Sequence, residues 1–360
     1  MRARIRKDLL DLMVVPGLSG HEQQVRAAIR SRLPRGVRPT TDRLGNLTVK
    51  FDGTGPRVML FTHMDQLGFI VRKIEADGTL RVERLGGVPE RALAGQPVLV
   101  CVEGHQDVPG VIANKSHHAT TPEEKYHVLR APELRIDCGF ASKAEAEATG
   151  IRIGAPVVYR PHAMELAGGR VAGTSVDDRA GCAVLLEVAR ALAARKEGPE
   201  VHVVFSVQEE FNLRGAQVAA QAIQPEIAIQ VDLMNATDTP DMADRGDMVL
   251  GGGPGMSLYS FHGRGTLNGV IPHPGLVASM EAAAEEAGVP LQRSAQVGVL
   301  TDLSYVQLVG EGVAAIDVGF PMRYSHSAVE MCDLSDLEGL AKMLIAALDA
   351  LAPDVPLERP

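Results

Sequence analysis

The chain has 360 residues, of which 45% are hydrophobic and 22% charged, a composition typical of a globular protein with a sizeable core and not of a disordered one. Its net charge of −9 is spread without long blocks of like charge, so nothing favours nucleic acid or an anionic membrane surface as a partner. No apolar run reaches the roughly 18 residues that a membrane span would need.

The cysteines and the N-terminus indicate the compartment. The four cysteines lie far apart without a C-x-x-C pair, which indicates buried thiols in a reducing environment. Asp8 and Asp11 interrupt the first apolar run, and no small-residue cleavage site follows it, so we do not expect a signal peptide. We therefore expect a cytoplasmic protein.

The first predicted elements are two helices and a buried strand. Apolar periodicity predicts a helix over 3–15, and the S-x-x-E spacing of Ser19 and Glu22 predicts a capping box for a second helix over about 21–33. An apolar strand at 58–61 then ends in Thr-His-Met-Asp. His63 and Asp65 are two residues apart, so in extended backbone both project from one face, where the carboxylate can fix the imidazole tautomer.

A different pattern occupies residues 68–161. Short alternating segments such as FIVRKIE and QPVLVCVE are separated by Gly, Pro and Asp turns, which predicts a small β-rich barrel or sandwich. Because an α/β pattern lies on both sides of it, we expect this segment to be an inserted domain.

The α/β pattern resumes with polar residues at element ends. Asp177 and Asp178 open a helix that continues through about 194, and the apolar strand 201–207 ends in Gln208, Glu209 and Glu210. A strand at 227–231 ends in Asp232. A further strand at 314–320 precedes the loop that carries His326, and a helix over 334–351 follows.

These elements predict an α/β fold with a mixed, mainly parallel sheet and helices on both faces, plus the inserted domain. The larger domain is then discontinuous and comprises residues 1–67 and 162–360. Sites in open parallel sheets form at the carboxyl ends of the strands, where these polar residues fall.

The polar residues at these ends suit metal ions. Each has an ordinary structural explanation when taken alone. Two aspartates at a helix start, for example, interact favourably with the helix dipole. Converging carboxylates would repel one another unless a cation lay among them. Together, His63, Asp177, Asp232, His326 and one residue of the Glu209–Glu210 pair offer ligands for two divalent ions, and the other glutamate is free to act as a general base.

Five stretches in order also resemble one enzyme family. THMDQLGFIV, GTSVDDRAGCAVLLE, VQEEFNLRGA, the strand ending in Asp232, and RYSHSAVEMCDL are similar to the M42 family of dinuclear metallo-aminopeptidases, the TET-type enzymes that include proteins called glutamyl aminopeptidase or endoglucanase. SGHEQQVR near the start and the inserted domain extend the resemblance over nearly the whole chain. It implies a zinc-exopeptidase-like fold.

The resemblance also implies roles for individual residues. One metal ion is expected on Asp177, Glu210 and His326, and the other on His63, Asp177 and Asp232, so that Asp177 bridges the two ions. Glu209 is expected to be the general base that acts on a water bridging the metals, and Asp65 to orient His63. The two divalent ions are expected to be zinc or cobalt, with manganese as a further candidate.

The resemblance further implies that the inserted domain mediates dimerisation and that dimers assemble into a dodecameric shell. Short peptides are the expected substrates. Three stretches depart from the usual family pattern, Phe211-Asn212, Leu233-Met234-Asn235 and Leu303-Ser304, so a side-chain preference cannot be carried over. The alternative functions are an N-acyl amino acid deacylase, an endoglucanase, which the lack of tryptophan disfavours, and an inactive scaffold.

Overall fold

The computed structural model describes residues 1–263 and 268–359. Its helices are α1 (Arg2–Met13), α2 (Gln23–Arg32), α3 (Lys143–Ala148), α4 (Val176–Ala194), α5 (Gly215–Ile223), α6 (Pro274–Glu286), α7 (Leu303–Val306) and α8 (Leu334–Ala350). Its strands are β1 (Thr40–Thr41), β2 (Leu47–Phe51), β3 (Arg57–His63), β4 (Gly68–Ile74), β5 (Leu80–Leu85), β6 (Pro97–Val100), β7 (Val108–Ile112), β8 (Ile136–Asp137), β9 (Pro156–Tyr159), β10 (Ala163–Glu165), β11 (Arg170–Gly173), β12 (Glu200–Ser206), β13 (Ile227–Asn235), β14 (Gly255–Phe261), β15 (Gly269–Val270), β16 (Gln292–Val297), β17 (Ala314–Met322) and β18 (Glu330–Asp333).

The main sheet is mixed, as the sequence predicted. Its strand order is β1-β2-β12-β3-β13-β17-β14-β15, with β16 paired to β14. The central strands β12, β3, β13 and β17 are parallel, whereas β2 and β14 pair with their central neighbours in antiparallel fashion. Because these four adjacent strands are parallel, their carboxyl ends meet at one edge of the sheet.

Alternation along the central strands buries both faces of the sheet. In β3, Val58 and Leu60 belong to the core cluster that includes side chains of α1, α4 and α8, whereas Met59 and Phe61 belong to a second cluster with residues of α5 and α7. A strand that is covered on both sides has no polar face. This explains why the central strands were predicted from runs of mainly apolar residues without alternation.

Six strands from the segment after β3 form a closed barrel in the order β4-β5-β8-β7-β6-β9. The barrel has its own core, in which Phe69 contacts Tyr159 edge to face with ring centroids 6.2 Å apart. The prediction of a barrel or sandwich is thereby narrowed to a barrel. The domain limits 68–161 remain a prediction.

The chain returns from the barrel through a second, smaller sheet of order β10-β11-β18. This sheet lies close to the start of α4, because β11 ends at Gly173 and α4 begins at Val176. Within the described parts of the chain, none of the helices combines the length and the apolar character that crossing a membrane requires.

Candidate metal centre

All the predicted site residues lie together at the carboxyl edge of the central strands. His63 is the last residue of β3, Asp232 lies near the end of β13, and the Glu209–Glu210 pair follows β12. Asp177 lies in the first turn of α4, and His326 lies in the loop after β17. Parallel pairing brings these chain segments to one place, since parallel strands end at the same edge.

Asp177 lies between the two histidines. Its Oδ1 is 2.9 Å from His63 Nε2, and its Oδ2 is 3.4 Å from His326 Nε2. Burial acts to raise the pKa of the Asp177 carboxyl, but the hydrogen bonds from His326 and His63 outweigh it and hold that pKa below its usual value. Burial acts to lower the pKa of His63, whereas Asp177 and Asp65 raise it well above the ordinary value.

The other three carboxylates are buried beside this group. Glu209 is 9% exposed and Asp232 is 7% exposed. Burial raises the pKa of Glu210 and that of Asp232 to about 7, and it raises the pKa of Glu209 well above its ordinary value. Glu210 Oε1 has no hydrogen-bond partner, although a buried carboxylate oxygen without one is unfavourable.

Two triads of donor atoms are close enough to hold a metal ion. The ligand atoms of Asp177, Glu210 and His326 lie within 4.8 Å of one another, and this triad is one of the predicted sets. Those of His63, Asp178 and Asp232 do so as well. Asp178 was predicted only as part of a helix start, so it is a candidate ligand that sequence reasoning missed.

Asp178 differs from Asp177 in its hydrogen bonds. The Thr62 hydroxyl donates to Asp178 Oδ2, and the Gly181 N–H donates to Asp178 Oδ1 at 2.9 Å. Both oxygens of Asp178 thus already have donors from the protein. Asp177 instead faces a histidine with each oxygen, as a bridging ligand would.

Asp65 contacts more of the site than the sequence indicated. Asp65 Oδ1 is 3.4 Å from His63 Nδ1, a contact without a hydrogen bond, so the orienting role of Asp65 stays a prediction. The backbone N–H groups of Glu209 and Glu210 donate to Asp65 at 3.0 and 3.1 Å, and the Ser19 hydroxyl donates to it as well. Asp65 therefore holds the turn that carries the glutamate pair.

The predicted capping box at Ser19 and Glu22 is wrong. Helix α2 begins at Gln23, and Glu22 at its N-cap makes no side-chain capping bond. Glu22 Oε1 instead accepts hydrogen bonds from the Gly20 N–H at 2.6 Å and the Gln208 N–H at 3.2 Å. Ser19 and Glu22 do not cap the helix because they form hydrogen bonds with Asp65 and with the Gln208 N–H instead.

Two further buried residues support the predicted ligands. Glu330 accepts hydrogen bonds from the backbone N–H of Asp177 at 3.0 Å and from that of His326 at 2.8 Å. The Gln230 side chain donates from Nε2 to Asp232 Oδ2 at 3.0 Å and accepts from the Leu303 N–H at 2.6 Å. Gln230 precedes Asp232 by two residues in a strand, a spacing that places both side chains on one face.

Two of the stretches that depart from the family pattern, the turn after Glu210 and the segment around Leu303, have specific backbone or hydrogen-bond features. Asn212 has φ of 66°, the left-handed conformation that asparagine tolerates, and Gln208 and Leu213 share it. Asp302 is buried and accepts a hydrogen bond from the Ser206 hydroxyl at 3.1 Å. Burial raises the pKa of Asp302 to about 8.

Known proteins match this chain over nearly its whole length. Residues 45–343 match the family model described as M42 glutamyl aminopeptidase. The putative aminopeptidase SgcX of Escherichia coli is 36% identical over 99% of this chain and 97% of its own.

Solved structures also match this chain over nearly its whole length. The aminopeptidase APDkam598 from the archaeon Desulfurococcus kamchatkensis has 33% identity and a TM-score of 0.91, covering 98% of this chain and 96% of its own. The TET1 peptidase of Pyrococcus horikoshii, described as able to assemble into a tetrahedron or a large octahedral shell, has 29% identity and a TM-score of 0.87, covering 96% and 100%. The chain therefore belongs to the M42 family of aminopeptidases and is a peptide hydrolase.

Proposed function

We propose that the protein is a metal-dependent aminopeptidase that removes N-terminal residues from short peptides with Glu209 as general base. The observation that carries this proposal is the position of Asp177. One of its oxygens contacts His63 and the other contacts His326, with Glu210 and Asp232 in the adjoining triads. Membership of a family of aminopeptidases supports the same reaction class.

The donor set fits divalent metal ions. It combines imidazole nitrogens with carboxylates, the ligands preferred by zinc and also used by cobalt and manganese. The unpartnered Glu210 Oε1 and the raised pKa values of the buried acids indicate that a cation would offset the cost of burying them. Asp177, Glu210 and His326 would hold one ion, and His63, Asp177 and Asp232 the other.

Two such ions, when bound, supply Lewis acidity that polarises the scissile carbonyl and acidifies water. Glu209 takes the proton from the attacking water and returns it to the leaving amine. Its backbone N–H is fixed by Asp65, and its side chain is nearly excluded from solvent, which raises its pKa toward the range where a carboxylate accepts protons. Asp65 also keeps the His63 ring oriented.

We infer that the protein is a homo-oligomer built from dimers through the barrel domain of residues 68–161, with a dodecamer as the expected assembly. The shell described for the TET1 peptidase supports an assembly of many subunits. Between β7 and β8, Tyr126 is 83% exposed and Val128 is 49% exposed. Exposed apolar side chains of this kind are typical of surfaces that bind another subunit. Light scattering measures the mass directly, and a monomer at micromolar concentration would contradict this.

The test of the reaction uses short peptides, each with a free and an N-acetylated terminus. Chelator-stripped protein is assayed before and after zinc or cobalt is restored. We expect metal-dependent cleavage of the free-amine series only. Cleavage of the acetylated series would instead indicate a deacylase, and no cleavage of either series would refute the proposal.

A further inference from the structure

The predicted ligand His326 is held by the barrel as well as by the sheet. Its Nδ1 lies 2.9 Å from the backbone oxygen of Gly87. Gly87 lies in the connection between β5 and β6, two strands of the barrel, whereas His326 follows β17 of the main sheet. A backbone atom of one substructure thus contacts a candidate metal ligand of the other.

Neighbouring residues attach the same two segments to each other. Val88, next to Gly87, and Ala328, two residues after His326, are both buried in the core cluster of the barrel. On the other side, a Cβ at Gly86 would lie 3.3 Å from Glu210 Oε2. The barrel connection is therefore packed against two members of the triad Asp177, Glu210 and His326.

The Gly87 contact determines which nitrogen of His326 can bind a metal ion. A carbonyl oxygen only accepts hydrogen bonds, so Nδ1 must carry a proton. In the neutral ring Nε2 is then the free nitrogen, and it is the one that lies 3.4 Å from Asp177 Oδ2 and 3.8 Å from Glu210 Oε1. Outer partners of this kind fix the tautomer and the ring orientation of histidine ligands.

We propose that the barrel contributes to the metal centre by positioning a ligand, with Gly87 as the positioning residue that orients the ring of His326. The affinity of the triad Asp177, Glu210 and His326 for its metal ion then depends on the Gly86–Val88 connection. This inference rests on the metal site of the proposed function, but it concerns a residue and a domain outside the ligand set.

The test is the variant Gly87→Ala in the full chain. Gly87 does not have the positive φ that would disfavour alanine, but the added Cβ would lie 3.0 Å from His326 Nδ1 and displace the ring. Gly275→Ala is a matched control, since a Cβ there would lie 3.2 Å from Nδ1 of His273, at the start of α6. Both variants push a methyl group against an imidazole, and only one of these imidazoles is a candidate ligand.

Cobalt(II) itself is the probe, followed by titration against a competing chelator and by its visible absorption. We expect Gly87→Ala to weaken the binding of one of two cobalt ions by about 10- to 100-fold, the usual cost of losing an outer partner, and to change the absorption of that ion. The other ion should keep its affinity. Gly275→Ala should bind both ions as the wild type does.

Three results would overturn the inference. The first is unchanged affinity and absorption in Gly87→Ala, and the second is an equal loss in Gly275→Ala. The third is a wild type that binds no cobalt, which would overturn the proposed function as well. Two bound ions without peptide cleavage would overturn the proposed function alone and leave this inference standing. If Gly87→Ala does not fold, Val88→Ala loosens the same connection from the barrel core, and we expect a smaller loss of affinity for the same ion.

Discussion

The variant Glu22→Gln tests the cost of a buried charge next to the turn that carries Glu209 and Glu210. Glu22 is 3% exposed, and burial, with a further contribution from Asp65, raises its pKa from 4.5 to about 7. One oxygen, Oε1, accepts the hydrogen bonds from both Gly20 and Gln208. A glutamine oxygen can accept the same two bonds, so the substitution removes the charge and keeps the contacts.

The size and the sign of the effect follow from the pKa shift. A shift from 4.5 to about 7 corresponds to about 3 kcal/mol, at about 1.4 kcal/mol per pH unit. Because the pKa is higher in the folded state, the folded protein holds the proton more tightly than the unfolded chain does. The wild type therefore loses this stability as the pH rises from about 4.5 to about 7, and it carries the full cost above that range.

We expect Glu22→Gln to be more stable than the wild type at pH 8 by up to about 3 kcal/mol, and by much less at pH 5. Urea unfolding of both proteins at pH 5, 6, 7 and 8 measures the difference. Glu358→Gln, at an exposed position in the C-terminal tail, is the control for removing a charge. A difference that does not change with pH, or a wild type that is the more stable at pH 8, would refute the reasoning.

Three substitutions test the metal centre itself. Glu209→Gln should keep both metal ions and lower kcat by about 100- to 10,000-fold, and full activity in this variant would remove Glu209 from the mechanism. Asp177→Ala should lose both ions, so elemental analysis that still finds two per chain would refute the bridging role. Gln230→Leu should weaken one ion by about 10- to 100-fold because Asp232 loses its donor. Activity of Gln230→Leu should recover in excess metal. Gln307→Leu, which removes the hydrogen bond from the Gln307 side chain to the backbone oxygen of Gly269, should leave metal affinity unchanged.

The positions of the site residues could be predicted because they depend on local patterns. His63 and Asp232 follow apolar runs of two central strands, and parallel strands bring such positions together at one edge. The barrel could be recognised from its alternation and its turns. The assignment of Asp65 to His63 needed only a spacing of two residues.

The contacts between distant segments could not be predicted in this way. Ser19 and Glu22 have the spacing of a capping box, yet the structure gives them partners at Asp65 and Gln208. Sequence patterns describe hydrogen bonds only between residues a few positions apart. Here Ser19 binds a carboxylate 46 positions away, and Glu22 binds a backbone N–H 186 positions away. The same limit applies to Gly87, whose carbonyl has no sequence signal.

The charges of the site explain why these long-range contacts matter. Burial raises the pKa of Glu210 and Asp232 to about 7, while two histidines hold the pKa of Asp177 low. The pKa values of these carboxyl groups therefore depend on the histidines that lie among them. Asp65 fixes the turn, and Gly87 contacts the ring of His326 from the barrel. Hydrogen bonds from outside the proposed ligand set thus help so many acids to share one buried edge, where we propose that they bind metal ions.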